Sequence, residues 1–299
     1  MNYSRIINRS FEIAWRYKSL WVFGMFASGG FANFNFNMPT GDSDGFGSGS
    51  FGMPEFPPEL IGMFMMAIGA LVLVFMVMGL ISQAAIIDSV NRIDRGGRYR
   101  FGEAFSAGID FFLRFLGLSI LFFVSFAIAI GIVVVLAVIF FAVHTALGVL
   151  SLLILIPALL FSFFVLFSIF SLAERVIVVR NASIGDAIEE GWLLVKRNFG
   201  KTAMIFLIYI AFLIGFGIFS TIIWIIFSLP IAGLGLVAGL NPISALFAGI
   251  IIGLPVSLVI GGILGVFYTS LYTLFYFELV EPVQTAAIQT PPAAAPPLT

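Results

Sequence analysis

Few side chains in this 299-residue sequence have the type and spacing to do chemistry, and each can be weighed on its neighbours. His144 is the single histidine and there is no cysteine. A metal centre needs three or four ligands, and no Asp or Glu stands near His144, so it reads as a turn residue at an interface. Gly47-Ser-Gly-Ser-Phe-Gly52 fits the dinucleotide pattern G-x-G-x-x-G. It lacks a preceding strand and runs into Met53-Pro54, so the strand–turn–helix setting that cradles a pyrophosphate is missing. Asp42, Asp44 and Gly47 stand where a calcium loop places its first, third and sixth residues. Phe46 and Met53 occupy the fifth and twelfth, where ligands are required, so the stretch reads as an acidic loop. A hydrolase needs a nucleophile with its base, or a metal. No such set exists here, and the expectation is a protein without catalytic residues, metal or cofactor.

What is left is binding chemistry. Arg92, Arg95, Arg98 and Arg100 in "NRIDRGGRYR", with Lys196 and Arg197 further on, are candidates for contact with anionic lipid headgroups. The same clusters are also the ordinary stop signals of helices that leave a bilayer. Tyr268, Tyr272 and Tyr276 recur at i, i+4 and i+8, flanked by Thr269 and Thr273, and make one polar stripe on a helix. Pro157 and Pro255 interrupt two apolar runs, and each removes a backbone hydrogen bond. Tyr268, Tyr272, Thr273, Pro157 and Pro255 are therefore candidates to line a cavity. The alternative is a packing kink beside a hydrogen-bonded helix contact.

The elements that position these residues follow from hydropathy. Hydrophobic residues make up 61% of the chain and charged ones 10%, against about 25% charged in a soluble domain. Phe115–Ala173 and Thr202–Phe277 hold no Asp, Glu, Lys or Arg over 59 and 76 residues. Each run is long enough for two helical crossings of about 20 residues. They predict spans over 115–141, 147–173, 202–229 (ending at Pro230) and 245–277, and a fifth covers 60–87. A sixth is expected within 3–28, where Arg5, Arg9, Glu12 and Arg16 form a polar stripe before Leu20–Ala27 turns fully apolar. Gly249-x-x-x-Gly253 and Gly261-x-x-x-Gly265 predict close helix contacts.

Charge placement supports six crossings. Segments 1–18, 88–114, 174–201 and 278–299 then share one side and contain all 14 basic residues. The opposite side carries Asp42, Asp44, Glu55 and Glu59. Lys and Arg in short loops mark the cytoplasmic side, so both termini are expected inside a plasma (inner) membrane. The long apolar runs themselves carry no ionisable pathway of the kind that marks ion-coupled transporters.

"GEAFSAGIDFFLRFLG", from Gly102, and "GDAIEEGWLLVKRNFG", from Gly185, superimpose on a shift of 83 residues. Gly102, Ala104, Gly108, Arg114 and Gly117 fall on Gly185, Ala187, Gly191, Arg197 and Gly200. Ser183 with Asp186 predicts a helix-capping box. The pattern predicts three parallel units of amphipathic interfacial helix plus hairpin, over about 1–100, 101–183 and 184–281. A Gly/Phe/Ser-rich loop at 29–58 and a Pro/Ala-rich disordered tail at 282–299 are expected to stand outside this single membrane domain of residues 1–281.

The passage 173–201, "AERVIVVRNASIGDAIEEGWLLVKRNFGK", resembles a group of bacterial multi-pass proteins that includes the membrane domain of some glycerophosphoryl diester phosphodiesterases. Glu174, Val176–Val179, Ala187, Gly191-Trp192 and Asn198-Phe199-Gly200 carry the resemblance, and weaker similarity spreads over about 90–280. It implies an all-α membrane fold. The phosphodiesterase domain has no counterpart in this chain, so its activity is not implied. The resulting expectation is an accessory or scaffold protein with lipids and another membrane protein, or itself, as partners. No nucleic-acid partner is expected. The alternative is a permease or translocator for a neutral or lipid-like molecule.

Overall fold

A computed structural model describes residues 3–28, 58–237 and 242–289, and among these the regular structure is helical throughout. The helices are α1 (Tyr3–Arg16), α2 (Leu20–Ala27), α3 (Pro58–Asp94), α4 (Phe101–Val143), α5 (Thr145–Arg180), α6 (Ile184–Arg197), α7 (Phe199–Val237) and α8 (Pro242–Gln289). Five of them, α3, α4, α5, α7 and α8, are long and apolar enough to cross a membrane.

Several expected boundaries move. Residues 3–28 form two helices with a break at Tyr17-Lys18-Ser19. At ~1.5 Å per residue, α2 is only about 12 Å long, well short of a bilayer core. The interfacial helix expected to precede the 115–141 span is not separate from it. Both are parts of α4, one helix of 43 residues. In the second copy the expected break exists, at Asn198 between α6 and α7. Pro230 lies inside α7 rather than at its end. A proline removes a single backbone bond, which an otherwise apolar helix tolerates. The last helix passes Glu281 and continues to Gln289, into the segment expected to be a disordered tail. The Gly47–Gly52 and Asp42/Asp44 motifs and the end of the tail lie outside the described residues.

The helices converge at the end that carries the basic residues. α8 packs against α1, α2, α3, α5 and α7. In its most apolar stretch 61% of residues are buried, against 0% in α4, so α8 is the axis and α4 an outer wall. The core gathers Leu20 and Phe23 of α2, Ile86, Ile87 and Val90 of α3, Leu172 and Ile177 of α5, and Phe267, Leu271 and Phe275 of α8. Toward the opposite end α4, α5 and α7 expose Phe123, Ile132, Leu153, Ile154 and Ile218 on apolar faces.

Glycine sets the closest approaches. A Cβ on Gly24 of α2 would run into the carbonyl oxygen of Gly262, and one on Gly265 into that of Gly24. The expected Gly261/Gly265 contact is thus real, with Gly262 taking part beside Trp21. Gly108 and Gly191, paired by the 83-residue shift, both lie against the backbone of a preceding long helix, at Ile81 and Ile169. Ser183 caps α6 as the sequence predicts, while the Asp186 carboxylate answers through the Ser183 hydroxyl and not through its backbone N–H. Asp186 N donates to Ser183 Oγ at 3.3 Å, and Ser183 Oγ donates to Asp186 Oδ2 at 2.6 Å. Ser183→Ala is expected to lower the thermal midpoint in detergent by the equivalent of about 1 kcal/mol, the usual worth of such a cap.

Candidate functional site

The basic rim is built by the ends of α1, α3, α5 and α6 and the start of α4. Arg92 Nε holds Asp88 Oδ2 at 2.7 Å, and its Nη1 reaches Glu103 at 2.8 Å across the α3–α4 turn. Arg100 reaches Glu103 at 3.1 Å, and Arg180 of α5 meets Glu190 of α6 at 2.9 Å. Arg114 donates to Asn181, which closes α5 in the left-handed conformation at φ 55°. In α1 the Arg9 hydrogen bond and charge hold the Glu12 carboxyl below the usual range. Tyr99, edge-on to Tyr17 at 5.9 Å, is raised by burial.

This divides the six predicted headgroup residues. Arg92 and Arg100 are committed to carboxylates of the chain itself. Arg95, Arg98, Lys196 and Arg197 are exposed, with no ion-pair partner among the described residues. Around Lys196, Arg197 and Lys201 the exposed neighbours are large and apolar: Trp192, Leu193 and Phe199. The opposite face of α6, Ala187, Gly191, Leu194 and Val195, is buried. On α1, Phe11 and Trp15 are likewise exposed and stack at 6.1 Å.

The tyrosine stripe takes a different place from the one expected. Tyr272 and Thr273 are 3% and 0% exposed. Phe167 of α5 and Tyr209 of α7 pack edge-on against Tyr272 at 5.9 and 5.7 Å, and Tyr209 packs against Tyr268 at 4.9 Å. Rings fill the space around Tyr272 between α5, α7 and α8. Pro157 and Pro255 are exposed and do not join them, so those five residues do not line one cavity. Thr273 Oγ1 donates to Thr269 O at 2.7 Å within its own helix. Among the described residues the hydroxyls of Tyr268 and Tyr272 have no hydrogen-bond partner, so the interhelical hydrogen bonds expected of the stripe are not found there.

Sequence reasoning missed the charge at the centre of this packing. It assigned Glu174 and Arg175 to an inner loop, but both lie inside α5, 1% and 3% exposed. Arg175 Nη1 donates to Glu174 Oε2 and to Ser171 O, Gln83 of α3 donates to Glu174 Oε1 at 2.7 Å, and the guanidinium lies 5.5 Å from the Tyr272 ring centroid. The cluster ties α3, α5 and α8 together. It sits about 8 Å along α5 from the exposed Arg180, at ~1.5 Å per residue. One signal was available: Gln83 is the only amide in the 60–87 run. His144 lies at the turn between α4 and α5, as its position implied. It caps α5 by accepting from Ala146 N at 3.1 Å.

No group of three or more metal-binding side chains occurs among the described residues. Comparison with protein-family models, curated proteins and solved structures gives no match. The class of the protein therefore rests on its own architecture: an all-helical chain with five helices of membrane-spanning length and apolarity.

Proposed function

We propose that this chain is a non-enzymatic multi-pass protein of the plasma membrane, an accessory or scaffold subunit that holds anionic lipid on its basic rim. Counting residues 3–28 as a sixth crossing puts both termini on the cytoplasmic side and gathers all 14 basic residues there, the charge asymmetry that favours this orientation. The observation that carries the reading is the outer face of α6 and its junction with α7. Lys196 and Arg197, without carboxylate partners among the described residues, stand beside exposed Trp192, Leu193 and Phe199. That pairing suits a headgroup layer, where indole and phenyl rings sit at the water–hydrocarbon boundary and cations meet phosphate. Gly108 and Gly191, serving alike, support the parallel-repeat reading, and so does the resemblance of 173–201 to phosphodiesterase-linked membrane domains.

Each rim cation near an anionic surface is worth about 1 kcal/mol. The triple variant Lys196→Gln/Arg197→Gln/Lys201→Gln is therefore expected to retain several-fold less anionic lipid when purified in mild detergent and measured by native mass spectrometry. Unchanged retention, or recovery of the wild type as a lone chain with neither lipid nor protein attached, would falsify the proposal.

The runner-up is a translocator, favoured by the buried Glu174–Arg175 pair, since ionisable groups inside apolar helices mark transport routes. Flux into proteoliposomes that disappears in Tyr272→Phe or Pro255→Ala would promote it. The ring packing around Tyr272 weighs toward the scaffold.

A further inference from the structure

α4 and α5 run antiparallel in close register. A Cβ on Gly148 would meet the ring of Phe141, Phe126 meets Phe163 at 5.4 Å, Phe122 meets Phe170 at 4.6 Å, and Arg114 donates to Asn181. α6 returns along another side of α5. Gly191 lies against Ile169 and Ala173, and Phe199, at the start of α7, packs on Phe161 and Phe164 at 6.3 and 5.6 Å. Phe164 precedes Arg180 by about 24 Å along α5, at ~1.5 Å per residue. The basic end of α6 is therefore far from level with Arg180.

These two registers put unlike side chains at one height on α5. Glu189, Leu193 and Arg197 follow one another at i, i+4 and i+8 on the exposed side of α6. At matching heights α4 exposes Ile120, Val124 and Ile128, also at i, i+4 and i+8. A membrane surface perpendicular to α5 would either sink Lys196 and Arg197 into hydrocarbon or leave the α4 stripe in water. A surface that cuts α5 obliquely satisfies both. Length points the same way. Thr145–Ala173 of α5 carries no charged residue and is about 43 Å long, against a hydrocarbon core of about 30 Å. A helix of that length fits the core at a tilt of about 40° or more, the steep end of the usual range.

We propose that the α4–α5–α6 layer crosses the bilayer obliquely. α6 lies uppermost, its cations at the phosphate layer of the inner leaflet, and the Ile120/Val124/Ile128 stripe of α4 faces the acyl chains beneath. Below α6 the layer occupies the inner leaflet alone, and its partner there is inner-leaflet phospholipid on both sides. The inference rests on the rim reading in taking Lys196 and Arg197 as headgroup residues, and it adds the slant of the whole layer.

The chain has no cysteine, so single cysteines can each carry one nitroxide. Depths are read by electron paramagnetic resonance, from collisions with oxygen and with a nickel chelate, in nanodiscs of phosphatidylcholine alone. With anionic lipid left out, unchanged lipid retention in the rim triple variant counts against the rim reading and leaves these depths as they are. The pairs are Glu189→Cys with Ile120→Cys and Leu193→Cys with Val124→Cys. Each pair shares one height on α5, and all four side chains are exposed. The α6 member of each pair is expected to lie about 10 Å shallower, which is two helix spacings of about 9 Å turned through that tilt. Equal depths within both pairs overturn the proposal, and so does the reverse order. Access to the nickel chelate at all four sites overturns it as well, because the packed base would then stand in the cytoplasm.

Discussion

Glu174→Ala is expected to destabilise the folded chain by about 3–5 kcal/mol, enough to remove most of it from a monodisperse detergent peak. The variant strands Arg175, 3% exposed, against the ring of Tyr272. It also takes the acceptor from Gln83. The cost comes from the uncompensated charge rather than from the strength of the attraction. The neutral pair Glu174→Gln/Arg175→Gln is accordingly expected to recover most of the loss, because neither partner then carries a charge into the interior. Arg100→Ala, which opens a pair with both side chains exposed, is expected to change stability by no more than about 1 kcal/mol. Thermal midpoints of the four proteins in one detergent decide it. A double variant as unstable as Glu174→Ala would sink the electrostatic account and leave shape complementarity as the cause.

The second large effect is expected at Gly24→Ala. The added methyl meets the carbonyl oxygen of Gly262, and a backbone atom cannot rotate aside as a side chain does. Either α2 or α8 has to move. α8 is the axis of the packed half, so the cost of about 1–3 kcal/mol usual for overpacking is expected at its upper end. Gly191→Ala, whose Cβ would lie 3.0 Å from Ile169 O, is expected to cost less. Gly185→Ala meets nothing within 4 Å and is expected to be neutral or slightly stabilising in its helix. The same thermal midpoints test the order. Equal effects at Gly24 and Gly185 would mean that α2 does not seat against α8 as described.

The long apolar helices were legible because their signal is additive over some twenty residues, and a few misjudged positions change little. The Ser183–Asp186 cap and the Gly265 contact were legible because each depends on a short spacing. Helix ends were not. The one local difference is small: Phe115 follows Arg114 inside a continuous α4, whereas Asn198, a cap residue whose side chain donates to Leu194 O, follows Arg197 at the break. The buried pair escaped for a related reason. Charges at the edge of an apolar run read as the start of a loop. Whether Glu174 and Arg175 face water or protein depends on which helices arrive around α5, and Gln83 and Tyr272 come from 91 residues before and 97 residues after. The tyrosine stripe was seen, but spacing on one helix does not reveal that Phe167 and Tyr209 fill the space in front of it.

The uneven packing of the bundle has a consequence for its surroundings. At the basic end, side chains of six or more helices supply one another's contacts, and the molecule carries its own solvent exclusion. At the opposite end α4 offers Phe123 and Ile132, α5 Leu153 and Ile154, and α7 Ile218 to whatever fluid is there. In that layer acyl chains become part of the structure, in the place side chains hold in the other. A thinner or stiffer bilayer reaches this half first and the clasped half last.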